Sequence, residues 1–216
     1  NFKIDVAENK IPIDARQVLG FELLVREVYQ QARLGELWKD YEAQYDKEMS
    51  SYRPVVKEVA EESLRYFRIS SPLPMDTKIV LIPDLLNATS VVNARNLEHI
   101  YYIITGPAGD AFEHRRQVQH EYLHFLVDPL IQKQGIVLLR HEDLLRTVQK
   151  QPSFNPEHQN DFFLVVAESL IESIQLKLHG SKYVDQKMVD LFRDGLILAP
   201  YFYRGLAMYE NSGLVS

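Results

Sequence analysis

The chain has 216 residues, 46 % of them hydrophobic, and a formal net charge of −6. Length and apolar content suffice for one domain or two small packed lobes. The acidic balance, without a basic cluster, argues against a nucleic-acid partner. No apolar run reaches the length of a membrane span, and the absence of cysteine removes disulfides and thiol catalysis.

Residues 14 to 69 read as helical. Val18, Leu19, Phe21, Leu23, Leu24, Val28 and Tyr29 recur at helical spacing, continued by Leu37, Trp38, Tyr41 and Tyr45, then Val55, Val56, Val59, Leu64 and Phe67. This aromatic-rich stripe is expected to be core. Breaks are expected near Gly35 and at Arg53-Pro54, and Ser70-Ser71-Pro72-Leu73-Pro74 reads as a linker. The expected division is therefore a helical part over 1–70 and a second part over 71–216, packed as one unit. A chain beginning at Asn1, without an initiator methionine, is what a removed leader would leave, and a secreted or periplasmic location would follow.

Lys78 to Ile82 is β-rich and closes at Pro83; Asp84 to Asn96 is polar and reads as irregular; His99 to Thr105 is β-rich again. Gly106, Pro107 and Gly109 mark a loop, and Asp110 with Glu113 forms a D-x-x-E capping box. A helix is expected from Ala111 to Asp128, stopped by Pro129. Further on, Ile136 to Leu139 is a short apolar run, His141 to Gln149 a small helix and Gln151 to Pro156 a loop. Asp161 to Leu178 is a largely apolar helix, Val184 to Leu198 another, and Ala199 to Gly205 is unusually aromatic.

The chemistry lies in His120-Glu121-Tyr122-Leu123-His124, an H-E-x-x-H pattern. On a helix, residues four apart share a face, so both imidazoles can hold one Zn²⁺ while Glu121 reaches a water on it. Val118, Tyr122, Leu123, Phe125 and Leu126 keep the neighbouring positions uncharged. Catalytic zinc needs a third protein ligand. Glu168 and Glu172, four apart in the apolar helix, are carboxylates that would be expensive to bury without a partner, and a metal is a good one.

Over roughly Lys78 to Leu178 these residues resemble the gluzincin metallopeptidases. The resemblance implies an α+β, mostly helical zincin-like fold with a small sheet before the active-site helix. It implies Glu168 as third ligand and Glu172 as the carboxylate supporting His120; Glu172 as the ligand stays open. The gap from His124 to Glu168 is longer than in the shortest gluzincins, and the supporting acid is Glu where the family has Asp. The implied activity is hydrolysis of peptide bonds in a peptide or protein substrate, with Glu121 as general base. The oxyanion donor, a Tyr or His beyond the third ligand in that family, is expected among Tyr183, Tyr201, Tyr203, Tyr209 and His179, with Tyr203 favoured and Arg204 beside it. In zincins the strand before the metal helix is the sheet edge beside the cleft, so Ile103 to Gly106 would lie near the substrate backbone; a buried central strand is the alternative. His114 and His141 lack ligand spacing, His114 being expected on another helix face and exposed; His99, His158 and His179 carry no signal of their own. The net negative charge would draw basic peptides over distance but defines no pocket. Two other readings share these residues: a catalytically silent zincin-like binding domain, and a helical scaffold whose H-E-x-x-H is accidental.

Overall fold

The computed structural model describes residues 7, 9, 11, 13–69, 78–97, 100–151 and 160–212; the expected 70–74 linker, most of the 151–156 loop, His99 and His158 lie outside them. The chain forms two units, Asn1–Ser50 and Ser51–Ser216.

The first unit contains α1 (Ile13–Arg16), α2 (Phe21–Gln31) and the start of α3 (Leu34–Tyr66). Gly20, at φ 91°, precedes α2. The Trp38 and Tyr45 rings lie with centroids 4.6 Å apart, their planes tilted by 46°. Phe21, Leu24, Val28, Leu37, Trp38 and Tyr41 are exposed, contrary to the expected core stripe. Helical periodicity gives each helix an apolar side, but burying it takes another layer. The helix break expected at Arg53-Pro54 is absent: Pro54 lies inside α3, which continues to Tyr66. A proline there forfeits the N–H bond to the Ser50 carbonyl, and the division between the units falls directly after Ser50.

The second unit combines helices with a three-stranded sheet of β1 (Lys78–Pro83), β2 (Val92–Leu97) and β3 (Ile100–Thr105), in the order β1-β3-β2. β1 runs parallel to β3 and β2 antiparallel to it. β3 is thus the central strand, and the residues expected to be irregular contain the edge strand β2. The polar run Asn93-Ala94-Arg95-Asn96 hides a strand because its outer side is solvated.

β3 leads through Gly106 to Gly109 into α4 (Ala111–Lys133). The Asp110 side chain accepts the Glu113 N–H at 2.8 Å, as the capping box predicts. Pro129 does not stop this helix. Val127 before it and Ile131 after it are both buried in the core, so packing outweighs the single bond the proline forfeits. After α4 come α5 (Gly135–Leu139), a 3-10 turn at Glu142–Leu144, α6 (Leu145–Val148), α7 (Phe162–His179), α8 (Val184–Arg193) and α9 (Ala199–Asn211). Asp161 caps α7, accepting the Leu164 N–H at 3.1 Å. The aromatic run at Ala199 is helical, with Pro200 in the first turn where its missing N–H costs nothing.

Two apolar clusters meet on α4. Leu123, Val127 and Ile131 pack with Val148 of α6 and Val165, Ile171 and Ile174 of α7. Val118 and Tyr122 pack with Val56 and Val59 of α3, and with Val92, Tyr101 and Ile103 of the sheet. Among the described residues no helix is long and apolar enough to cross a membrane.

The loop into α4 is anchored by Tyr52, whose hydroxyl donates to the Gly106 carbonyl and accepts the Ala108 N–H, each at 3.1 Å. A Cβ on Gly106 would lie 2.2 Å from the Ala88 carbonyl oxygen, so main chain must move to admit one. Gly106→Ala is expected to lower stability by about 1–3 kcal/mol, as overpacking does, in a urea titration followed by circular dichroism.

Candidate metal centre

His120 and His124 stand one turn apart on α4, and Glu168 faces them from α7. Their ligand atoms form a closed triangle: His120 Nε2 to His124 Nε2 is 3.3 Å, His124 Nε2 to Glu168 Oε1 3.1 Å, and His120 Nε2 to Glu168 Oε2 3.3 Å. Three ligands of a tetrahedral ion at about 2.0–2.1 Å stand roughly 3.3–3.4 Å apart, so the triangle has the size a metal ion needs. It is the group among the described residues whose donor atoms converge in this way. The three side chains keep 16–19 % of their surface, enough for an ion and a further ligand to reach them.

The remaining ring nitrogens separate the carboxylates by role. His124 Nδ1 meets Asp128 at 3.1 and 3.3 Å, a bond that orients the ring and turns Nε2 to the triangle, where it could serve a metal. His120 Nδ1 faces Glu172 at 3.7 Å, an ion-pair distance beyond hydrogen bonding. Glu172 is held instead by Arg116 at 3.4 Å, while Arg116 also grips Glu113 with two bonds of 3.1 Å. Glu168 therefore sits on the side of His120 that faces the triangle, and Glu172 on the other. Sequence reasoning missed Asp128 and Arg116, although the spacing of four from His124 to Asp128 was available as a signal.

A cleft of about 560 Å³ opens over the triangle, with Glu121, Arg95, Asn96, Gln117 and Tyr101 among its walls. Burial raises the Glu121 carboxyl above its ordinary range, while both imidazoles and Arg95 pull it back. The Tyr101 hydroxyl donates to the Glu121 carbonyl and is thereby engaged.

Other expected site residues lie elsewhere. Tyr203, the favoured oxyanion donor, is not brought to the cleft. Its ring lies under the Lys177 ammonium, 4.2 Å from the centroid, nine positions beyond Glu168 on α7 or about 13 Å along the helix. Arg204 donates to the Pro200 carbonyl in its own helix. Tyr183 and Tyr201 are exposed, and Tyr209 donates to the Tyr66 carbonyl. His179 pairs with Gln119 Oε1. His114 is 3 % exposed, not solvated as expected; it meets Thr105 Oγ1 at 2.9 Å and stands edge-on to Tyr52. The Asp110 cap and the loop before it turn this first-turn side chain toward β3 and α3 rather than water.

Without a metal the same atoms bind protons. Burial pulls the His124 pKa down, but hydrogen bonds to Asp128 and Glu168 prevail and lift it to about 10. His120 is raised likewise, against burial, by the hydrogen bond and charge of Glu168. Glu168, opposed by burial, is held well below the usual carboxylate range by its bonds to the two imidazoles.

These shifts give opposite pH dependences to stability and metal affinity. The raised histidine contribution to the metal-free fold is complete below the free value of 6.5 and fades as pH climbs toward 10. The Glu168 contribution is present above the free value of 4.5 and lost on acidification. Chelated protein is expected to melt at progressively lower temperature from about pH 6.5 to about pH 9, while the affinity for added metal rises over that interval as protons leave. Thermal scans and calorimetry in buffers of different ionisation enthalpy read both. Asp128→Asn is expected to weaken metal binding roughly 10–100-fold by chelator competition, as losses of such ligand-orienting partners do.

No family model, curated protein or solved structure matches the chain, so its function is read from the side chains of the cleft.

Proposed function

We propose that residues 51–216 form a gluzincin-like zinc metallopeptidase. The observation that carries this is the triangle of His120, His124 and Glu168, closed to 3.1–3.3 Å with Glu121 in the wall of the same cleft. An accidental H-E-x-x-H would not be expected to meet a carboxylate from a helix more than 40 residues away, on the correct nitrogens and at ligand spacing.

His120, His124 and Glu168 would hold the ion, two neutral nitrogens and one carboxylate, a donor set suited to zinc with a coordination position left open. Zinc bound there supplies Lewis acidity, polarising a scissile carbonyl and making an attacking water acidic near neutral pH. Glu121 accepts that water's proton on its carboxylate and returns it to the leaving amine. Burial of the Glu121 carboxyl favours its holding the proton, while a cation bound in the triangle would act in the opposite sense. Asp128 keeps the His124 ring oriented; Glu172 and Arg116 place a fixed negative group behind His120.

The substrate backbone has a template in β2. Val91 accepts the Gly106 N–H at 2.8 Å, and the Thr105 carbonyl turns to β1, where it accepts the Asp84 N–H at 2.7 Å. By antiparallel alternation Val92, Ala94 and Asn96 turn their N–H and C=O groups away from β3. Ala94 and Asn96 line the cleft, so an extended peptide adding to this edge would run over the triangle. The edge role expected for β3 thus passes to β2.

Metal analysis of the full chain after exhaustive washing is expected to give one zinc per chain, lost in His120→Ala. Glu121→Gln is expected to keep its zinc and to lower cleavage of a peptide mixture roughly 10²–10⁴-fold. Undiminished cleavage by that variant would remove Glu121 from the mechanism; a chain without stoichiometric zinc would end the zinc reading.

A further inference from the structure

Arg95 is the only lysine or arginine among the described residues lining the cleft. The carboxylates in its walls are Glu121, Asp128 and Glu168, beside the two imidazoles of the triangle. By strand alternation Arg95 exchanges its own backbone bonds with Tyr102 of β3, and its side chain leaves the sheet on the face opposite Ala94. The guanidinium nonetheless comes back to the strand: Arg95 Nη1 donates to the Ala94 carbonyl at 2.7 Å. That carbonyl is turned to the open edge, where an added strand would find its acceptor. The arginine therefore sits on a group the substrate backbone needs.

A guanidinium on a single neutral carbonyl is poorly matched. It has five N–H donors in a planar fork, and a carboxylate accepts two of them in parallel. When a peptide takes the Ala94 carbonyl, the displaced fork stays beside the backbone it has yielded to, tethered one residue away. Its charge already reaches the Glu121 carboxylate, but without a hydrogen bond, so the donors of the fork stay open to a carboxylate of the incoming peptide. A substrate ammonium would be repelled by the same fork.

Building on the peptidase reading, we infer that Arg95 is a specificity-determining residue that selects substrates carrying a carboxylate close to the scissile bond. The carboxylate can be an Asp or Glu side chain or the free C-terminus of a short peptide; the chemistry read by Arg95 is the same. The selection is local and runs against the −6 net charge, which acts over longer range. Exchanging a backbone carbonyl for a substrate carboxylate also links two events: the edge becomes available for pairing as the specificity contact forms.

The test uses the zinc-loaded full chain carrying Glu121→Gln, which holds peptides without turnover, and fluorescence anisotropy as readout. Three labelled peptides of one sequence are compared: one capped at both ends with Glu at a single position, one capped with Gln there, and one with Gln and a free C-terminus. The Glu or the free-carboxylate peptide is expected to bind about tenfold tighter than the neutral one, and which of them does so identifies the source. Adding Arg95→Gln is expected to abolish that preference and to tighten the neutral peptide, because the Ala94 carbonyl is released. Adding Arg95→Glu is expected to favour the same peptide with Lys at the varied position. Equal binding of all three peptides, or an equal loss for all of them in Arg95→Gln, would overturn the inference. So would increased self-association of Arg95→Gln with peptide preference intact, which would make Arg95 a guard of the exposed strand edge and nothing more. These outcomes leave the peptidase reading standing if the parent chain still cleaves peptides in a zinc- and Glu121-dependent way. Absence of both cleavage and peptide binding would end both.

Discussion

Leu123, Val127 and Ile131 of α4 interlock with Val165, Ile171 and Ile174 of α7, and this interface sets the separation of the two helices. Everything at the candidate centre inherits that separation. His120 and His124 are rigidly related through one turn of α4, but Glu168 reaches them only because the two backbones are held at a fixed distance. On the other side, Val118 and Tyr122 press α4 onto the sheet and α3, which brings β2 alongside the same turn. The cleft is the seam left where the two clusters do not cover α4. Core packing at such interfaces is dense and tolerates little displacement, so ligand geometry is a by-product of apolar packing rather than of flexible side-chain adjustment.

The electrostatics follow from the same confinement. Three ionisable groups share a space of a few ångströms, each partly screened from water. Burial alone would drive protons off the imidazoles and onto the carboxylate; the opposite distribution results because each charge is bonded to another. Without a metal, the protons on the imidazoles hold such a group together, and that contribution fades as pH climbs toward 10. Glu121 feels the charges of the same three groups, yet burial prevails and raises its carboxyl.

Much of the candidate centre is legible in the sequence, and for a physical reason: most of its spacing is local. His120, Glu121 and His124 are fixed by helical spacing, the Asp110 cap marks where that helix starts, and Glu168 stands out as a carboxylate in an apolar run. What the sequence concealed depends on tertiary placement. β2 is polar because an edge strand has one wet side, so it carries no strong β signature. Pro129 reads as a stop, yet buried neighbours on both sides carry the helix past it. Tyr203 has the right chemistry and the wrong place, since its position depends on how α9 lies along α7. His114 reads as exposed by helical phase, and a loop anchored by Tyr52 folds it inward. The apolar stripe of residues 18–41 shows the reverse limit: periodicity correctly gave helices but not a layer to bury them.

Under the zinc reading, the triangle of donor atoms also bears on which ion it would take from a mixture. Calcium takes six to eight oxygen ligands at about 2.3–2.6 Å, and magnesium prefers an octahedron of hard oxygens and keeps its waters. Two imidazole nitrogens and one carboxylate, 3.1–3.3 Å apart on two packed helices, offer neither the oxygen count nor the width. Small borderline ions that accept nitrogen and a low coordination number fit without moving the backbone. Under that reading, discrimination against the abundant hard cations would come from helix packing, at residues that would never touch the ion.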